Sequence, residues 1–393
     1  MELADHRAGI VLSGGGARAA YQVGALRAVA NLLPRNARQP FPVICGTSAG
    51  AINAAVLGAN ADSFRRGVAR LLRLWRRIEV KHVYRTDIAT LAGHAIKLLA
   101  SLAGGGHGPK RGASLLDNAP LARLLRRAMD LEQISAHIEA GHLHALGINA
   151  TSYSSGQAVT FFEAAPDVGP WRRVRRSGER CRLAVGHLMA SASIPFVFPA
   201  VRVDADYYMD GSVRQIAPIA PALHLGAKRI VTIAVGQFVG QRSVAAPPRY
   251  PSLGQIAGHA LSSVFLDNLA ADLERLHQVN RLASLVPPGG LVAHGLELRH
   301  VDVLVLSPSR DLGALALAYV DRLPRGVHYL LRGHGSMTGT GANLLSYLLF
   351  DRDFCRVLMK LGYNDAMARR DEIVAFLGGD RVHYSPLFPP ELR

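Results

Sequence analysis

Three short stretches of this chain carry residue types that could do chemistry. Gly46-Thr47-Ser48-Ala49-Gly50 is a G-x-S-x-G lying between an apolar run, Phe41–Cys45, and small residues at helical spacing, Ala51, Ile52, Ala54, Ala55 and Leu57. Between a strand and a helix, small flanking residues permit the sharp turn that lifts a serine hydroxyl out of a sheet. The amide after the serine and the start of the helix then face an anion forming beside it. Ser13-Gly14-Gly15-Gly16-Ala17-Arg18 also joins an apolar run to a helical pattern. Its glycines leave backbone N–H groups open to cradle an oxyanion or a phosphate. Arg18 could hold that loop in shape or attract a phosphate head group. Asp210-Gly211 is the one Asp-Gly pair of the chain. A carboxylate on a turn can serve as base for a serine, although a lone Asp-Gly is also an ordinary turn.

Other chemistries fit parts of this set. Gly14-x-Gly16-x-x-Ala19 matches the looser dinucleotide-binding pattern. That fingerprint wants a carboxylate at the end of the second strand, where Cys45-Gly46-Thr47-Ser48 stands instead. A Ser-His-Asp triad on an α/β-hydrolase fold would need a histidine after the acid, and Gly333-His334-Gly335 offers one. Against it, Ser48 comes after a single strand and the glycine loop follows the first strand rather than the third. His142-x-His144 has no accompanying carboxylate or cysteine cluster, so no metal is expected.

The elements that must position these residues read as follows. Ala8–Ser13 is a strand; Tyr21, Gly24, Ala25, Ala28 and Val29 repeat at helical spacing. The β-turn-α-β-turn-α order predicts a parallel sheet covered by helices. Residues 62–78 predict an amphipathic helix with Phe64, Val68, Leu71, Leu72 and Trp75 on one face and Arg66, Arg70, Arg73 and Arg77 opposite. The expectation is that it packs on the core and shows arginine to water. Ile88–Ala103 reads as an apolar helix that could cap the site. Asp117–Met129 reads as a helix capped by Asp117, Ala145–Ala150 and Ala158–Phe162 as strands, and Arg172–Arg182 as a basic loop. Residues 201–208 suggest a bent strand pair ending at Asp210-Gly211. Arg229–Val235 and Val301–Leu306 are strongly apolar strands, Leu253–Leu285 a long helical stretch, and Gly341–Leu377 mostly helix. Gly236–Pro251 is the weakest seam.

With 393 residues, 49% hydrophobic and 19% charged, the chain can bury a large core, and wholesale disorder is excluded. Three cysteines, Cys45, Cys181 and Cys355, exclude a disulfide scaffold and are expected reduced and buried. No apolar stretch is long enough to span a bilayer, and the opening MELADHRAGIVLSGGG has no Sec-type leader. The expected location is cytoplasmic, with peripheral contact at the inner membrane face; export without a visible signal stays open. Net charge is +16, and residues 1–130 hold 19 Lys+Arg against 7 Asp+Glu. Only five of the 45 basic residues are lysine, as in arginine- and alanine-rich compositions generally, so charge alone names no partner, and no nucleic acid is expected.

The ordered trio of glycine loop, Gly46–Gly50 and Asp210-Gly211 resembles the patatin-like phospholipases. Ala190-Ser191-Ala192-Ser193-Ile194-Pro195-Phe196-Val197-Phe198-Pro199 is similar to that family's stretch before its aspartate. The resemblance spans roughly residues 8–236; Ala19 and Ser212 depart from its commoner glycine, and glycine or alanine. It implies a patatin-like three-layer α/β fold with a mostly parallel sheet, an acyl-hydrolase core at 8–236 and a C-terminal region, 237–393, of unassigned function. It implies a Ser–Asp dyad with Ser48 as nucleophile and Asp210 as base. Gly14, Gly15 and Gly16 would form the oxyanion hole, supported by Arg18, Gly46, Gly50 and Gly211. The substrate would be a phospholipid or lysophospholipid ester at a membrane surface, with no cofactor. A non-catalytic membrane-associated regulator on the same scaffold and a nucleotide-binding protein remain alternatives.

Overall fold

The computed structural model describes residues 7–87, 93, 114–215, 218–236, 253–285, 300–324, 326–327 and 341–380. The expectations for Ile88–Ala103, Gly236–Pro251 and Gly333-His334-Gly335 fall, apart from Gly93 and Gly236, outside those residues.

β1 (Ala8–Leu12) runs through the glycine loop and a short 3₁₀ turn, Gly16–Ala19, into α1 (Ala20–Leu32). β2 (Val43–Thr47) passes through Ser48 into α2 (Ala49–Gly58), followed by α3 (Phe64–Arg77) and the single turn α4 (Val80–Val83). After α5 (Ala119–Ala128) and α6 (Glu132–Glu139) come β3 (Ala145–Ser152), β4 (Ala158–Ala164), β5 (Trp171–Arg173) and β6 (Arg176–Arg180). Then follow α7 (Val185–Ser191), β7 (Val201–Val203), β8 (Asp206–Asp210), α8 (Ala220–His224) and β9 (Arg229–Ile233). The rest comprises α9 (Leu253–Leu285), β10 (Asp302–Leu306), α10 (Leu312–Leu317), α11 (Gly341–Leu348), α12 (Arg352–Ala368) and α13 (Arg370–Gly378).

The strands form one mixed sheet in the order β10-β9-β1-β2-β3-β4-β6-β5, with β8 also on β3 and β7 on β8. β10, β9, β1, β2 and β3 are mutually parallel. β1, and β2 up to its last residue Thr47, are apolar because both faces are covered, as the βαβ connections require. Side-chain alternation splits β1 between two cores: Ile10 and Leu12 face the larger one, under α1, α2, α3 and α12, and Val11 faces a smaller one with Leu269 and Leu273 of α9. The fold is thus the expected α/β type.

α3 buries Phe64, Val68, Leu71 and Trp75 and leaves Arg66, Arg70, Arg73, Arg76 and Arg77 exposed, as its periodicity predicts. α5 starts at Ala119, with Asp117 accepting the Ala119 N–H at 2.8 Å. The predicted basic loop at 172–182 is instead largely a hairpin, β5–β6, turning at Arg175 in the left-handed region (φ 59°). Pairing of β6 with β4 uses backbone groups, and the Arg180 guanidinium of β6 also donates to the Ala164 and Ala165 carbonyls. Trp171 does not offer itself to an interface; it stacks on Phe162 at 5.1 Å and covers Gly178. Cys45 and Cys355 are buried, whereas Cys181 is only half-buried. Among the described residues no helix is long and apolar enough to cross a membrane.

Gly50 sets how tightly α2 sits on the sheet. A Cβ there would lie 2.3 Å from the Leu12 carbonyl oxygen and 2.5 Å from that of Ser13. Backbone cannot yield as a flexible side chain would, so Gly50→Ala is expected to destabilise the fold by about 2 kcal/mol or more, read as a fall in Tm.

Candidate active site

Strand register sets the site. Thr47, the last residue of β2, pairs with Asn149 of β3, and the next β3 residue, Ala150, pairs along that same edge with Asp210 at the end of β8, since β4 occupies the other edge. Ser48 and Asp210 therefore follow these strand ends along one edge of β3, at the carboxyl end of the parallel strands, where α/β sheets bind ligands.

Ser48 occupies a strained turn, φ 56° and ψ −129°, unusual for a residue with a Cβ. The surroundings hold it there. Its N–H donates to Ser191 Oγ at 2.8 Å, and the Ser191 hydroxyl donates to the Asn149 carbonyl at 2.6 Å. The Asn149 side-chain amide bonds the Gly46 carbonyl and Thr47 Oγ1, and Thr160 donates to Asn149 Oδ1. Gly46 and Gly211 leave room for this packing: a Cβ would strike the backbone of Gly50 or of Asn149 respectively.

Asp210 is wholly buried. Its N–H donates to the Ser193 carbonyl, its Oδ1 accepts the Ser212 N–H at 2.9 Å, and Thr151 Oγ1 donates to its carbonyl oxygen. Burial pushes the carboxyl pKa up to about 6; hydrogen bonding from the Ser48 hydroxyl and from Ser212 opposes that rise. Oδ2 is left without a partner that meets full hydrogen-bond geometry. The structure thus brings Ser48 to Asp210 with one carboxylate oxygen uncommitted. Among the described residues no histidine is bonded to either. His142 faces His137, and His144 faces Arg7 and Asp167, so the two do not converge. The thiols are poor rivals as nucleophiles, since burial pushes Cys181 up to about 12 and Cys45 higher.

Gly14, Gly15 and Gly16 form a buried loop seated on Val235 and on the last residues of α11. Gly16 has φ 54°, and a Cβ there would lie 2.2 Å from the Tyr347 carbonyl oxygen. A polar chain fixes the carbonyl that precedes the loop: Trp75 Nε1 donates to Asn53, Asn53 to Gln22, and Gln22 to the Ser13 and Ile233 carbonyls. Arg18 is buried. Its Nε donates to Ser346 Oγ at 2.7 Å and its guanidinium lies 4.4 Å from the Tyr347 ring centroid. It braces the loop against α11 rather than presenting charge to a head group.

A narrow apolar cleft begins at Ser48 and Gly16. Its walls come from α3 (Leu74, Trp75), α5 (Leu121, Leu124, Leu125) and the stretch Tyr347–Phe350. Trp75 and Phe350 stack at 6.3 Å, and the Tyr84 hydroxyl ties to the Leu348 carbonyl. Sequence reasoning missed Asn149 and Tyr347, and it quoted Ser191 without a task. Ser191 stood in the 190–199 segment, while nothing local marked the other two.

A match to the family model described as patatin-like phospholipase covers residues 10–223, more than half of the chain, and the chain belongs to that family, whose members are typically lipid acyl hydrolases. No curated protein matches it. Among solved structures, VipD from Legionella pneumophila is 11% identical, with a TM-score of 0.34 over 94% of this chain and 67% of that one. Human GIVD cytosolic phospholipase A2, in complex with methyl gamma-linolenyl fluorophosphonate, is 16% identical with a TM-score of 0.42. A second structure of it, also holding terbium chloride, gives 15% and 0.43. This chain spans 59% of the length of that human protein.

Ser191→Ala removes both the acceptor for the Ser48 N–H and the donor to Asn149. The variant is expected to lose about 1–3 kcal/mol of stability, measured by denaturant unfolding.

Proposed function

We propose that this patatin-like protein is a serine acyl hydrolase of phospholipase A or lysophospholipase type, cleaving fatty-acyl esters of glycerophospholipids with Ser48 and Asp210. The observation that carries the reading is the uncommitted oxygen of a dry carboxylate beside a serine at the head of an apolar cleft. A serine hydroxyl is a weak nucleophile until a base takes its proton. Here Oδ2 of Asp210 is the free acceptor. As Ser48 Oγ bonds to the ester carbonyl carbon, its proton passes to Asp210 and the carbonyl oxygen takes the negative charge. Amides of the Gly14–Gly16 loop, with the amide after Ser48, receive that charge; each such donor is worth about 10²–10³ in rate. Collapse of the tetrahedral species breaks the bond to the alcohol, which leaves with the proton from Asp210. Water, deprotonated by the same carboxylate, then releases the fatty acid. The apolar cleft suits the acyl chain, since its walls hold almost no polar group to be left unpaired.

Two outcomes test this. Ser48→Ala and Asp210→Asn should each lower phospholipid or lysophospholipid hydrolysis by about 10³-fold or more, and Ser48→Ala should abolish labelling by a fluorophosphonate probe. Near-wild-type activity in either folded variant contradicts the dyad. His334→Ala should leave the rate nearly intact; a large loss would favour a triad.

The pH dependence has a definite sign. A base with a pKa of about 6 must be ionised, so kcat/KM should rise with pH and level off above that value. Stability runs the other way. The folded state holds this proton more tightly than the unfolded chain, with its ordinary carboxyl pKa of 3.8, so the contribution falls as pH rises through that interval and stays lost above about 6. Asp210→Asn, which cannot ionise, should therefore raise Tm at neutral pH while removing activity, and thermal melts at two pH values check this.

A further inference from the structure

We propose that the exposed arginines of α3, continued by those of α5, form a docking surface for an anionic lipid bilayer that sets the mouth of the acyl cleft on the membrane. The inference rests on the acyl-hydrolase reading for its purpose, but its geometry stands apart from the dyad.

α3 is the shared wall. Successive residues step 100° around a helix. Leu74, Trp75 and Ile78 aim at the cleft, whereas Leu72 and Arg76 aim at a separate surface groove that also takes Arg27, Arg356, Lys360 and Tyr363. The outer ridge between these two directions holds Arg66, Arg70, Arg73 and Arg77, all exposed. One unbroken cationic strip therefore runs from the groove, over the helix, to the cleft. Across the cleft α5 repeats the arrangement: Leu121, Leu124 and Leu125 face inward while Arg123, Arg126 and Arg127 are exposed.

The charge on this strip is largely uncompensated. Arg66 pairs with Asp62, and Arg356 with Asp353. Glu79, just past α3, is taken by Lys81 and Arg352. Among the described residues, Arg70, Arg73, Arg76 and Arg77 reach no carboxylate within ion-pair distance, nor do the exposed arginines of α5. Asp130 and Glu132 lie beyond the C-terminal end of α5.

A bilayer fits better than a nucleic acid. Leu74 and Leu124, both half-buried, put an apolar rim between the two cationic banks, and the rim opens into a cleft ending at Ser48. That order, cation outside and hydrocarbon inside, matches an anionic leaflet, where head-group charge overlies acyl chains. A nucleic acid would call for stacking aromatics along the strip, and among the described residues only Tyr363 stands there, already under Arg27.

Each basic residue near an anionic membrane is worth about fivefold in partitioning, so R70Q/R73Q/R77Q should weaken binding to phosphatidylglycerol-containing vesicles ~10²-fold. Co-sedimentation should show wild type on those vesicles, little on pure phosphatidylcholine, and release by high salt. Hydrolysis in anionic vesicles should fall with binding, while hydrolysis of a soluble short-chain ester stays unchanged. Equal binding to both vesicle types, or full vesicle binding by the triple variant, overturns the proposal. So does selective binding to single-stranded nucleic acid without vesicle binding. If the wild type cleaves no ester at all, the dyad reading fails while the vesicle result still decides the docking surface.

Discussion

A carboxylate kept out of water beside a serine hydroxyl is the constraint on which the rest of this structure depends. Burial disfavours the ionised form of Asp210, and the Ser48 hydroxyl helps to offset that penalty. The pair is stable only if its surroundings are rigid, because a loosened site would admit water and return the carboxyl to its ordinary pKa. β3 supplies the rigidity. Along one edge it pairs first with the strand before Ser48 and then with the strand bearing Asp210, β4 holds its other edge, and Asn149, at the junction, bonds the Gly46 carbonyl and accepts from Ser191. The strained Ser48 turn is held by the same neighbour, through Ser191.

The C-terminal part of the chain, beyond the residues matched to the family, is built into this site. β10 extends the sheet next to β9. The end of α11 presses the Tyr347 carbonyl onto Gly16, takes the Arg18 guanidinium on the Tyr347 ring and Ser346, and leads into Phe350 in the cleft wall. A loop proposed to receive developing charge must not reorganise when the charge appears. Here the loop is clamped between Val235 below and Tyr347 above. Arg18, a residue that could have faced a phosphate, supplies the clamp.

What could be read from the sequence follows how local each requirement is. Ser48 and the Gly14–Gly16 loop were legible because sharp turns demand small residues at adjacent positions, and Asp210 because Asp-Gly stood in order with them. The parallel β1–β2 pair and the amphipathic α3 were legible from apolar periodicity. Asn149 and Tyr347 were not, since an asparagine in a strand and a tyrosine in a helix carry no local mark; register and packing give them their tasks. The β5–β6 hairpin was hidden by composition, because five arginines between 172 and 180 read as solvated loop although the backbone still pairs. The cleft was invisible for a like reason, as its walls come from α3, α5 and residues 347–350, far apart in the chain.

The most direct test of the central contact is to titrate the Asp210 carboxyl itself, by carbon-13 NMR of labelled aspartate, in the wild type and in Ser48→Ala. If the serine hydroxyl bonds this carboxylate, its removal takes away a stabiliser of the ionised form, and the pKa must climb above its value of about 6. An unchanged or lower pKa in a folded Ser48→Ala protein would mean that the two side chains do not interact, and the account of the site would be wrong.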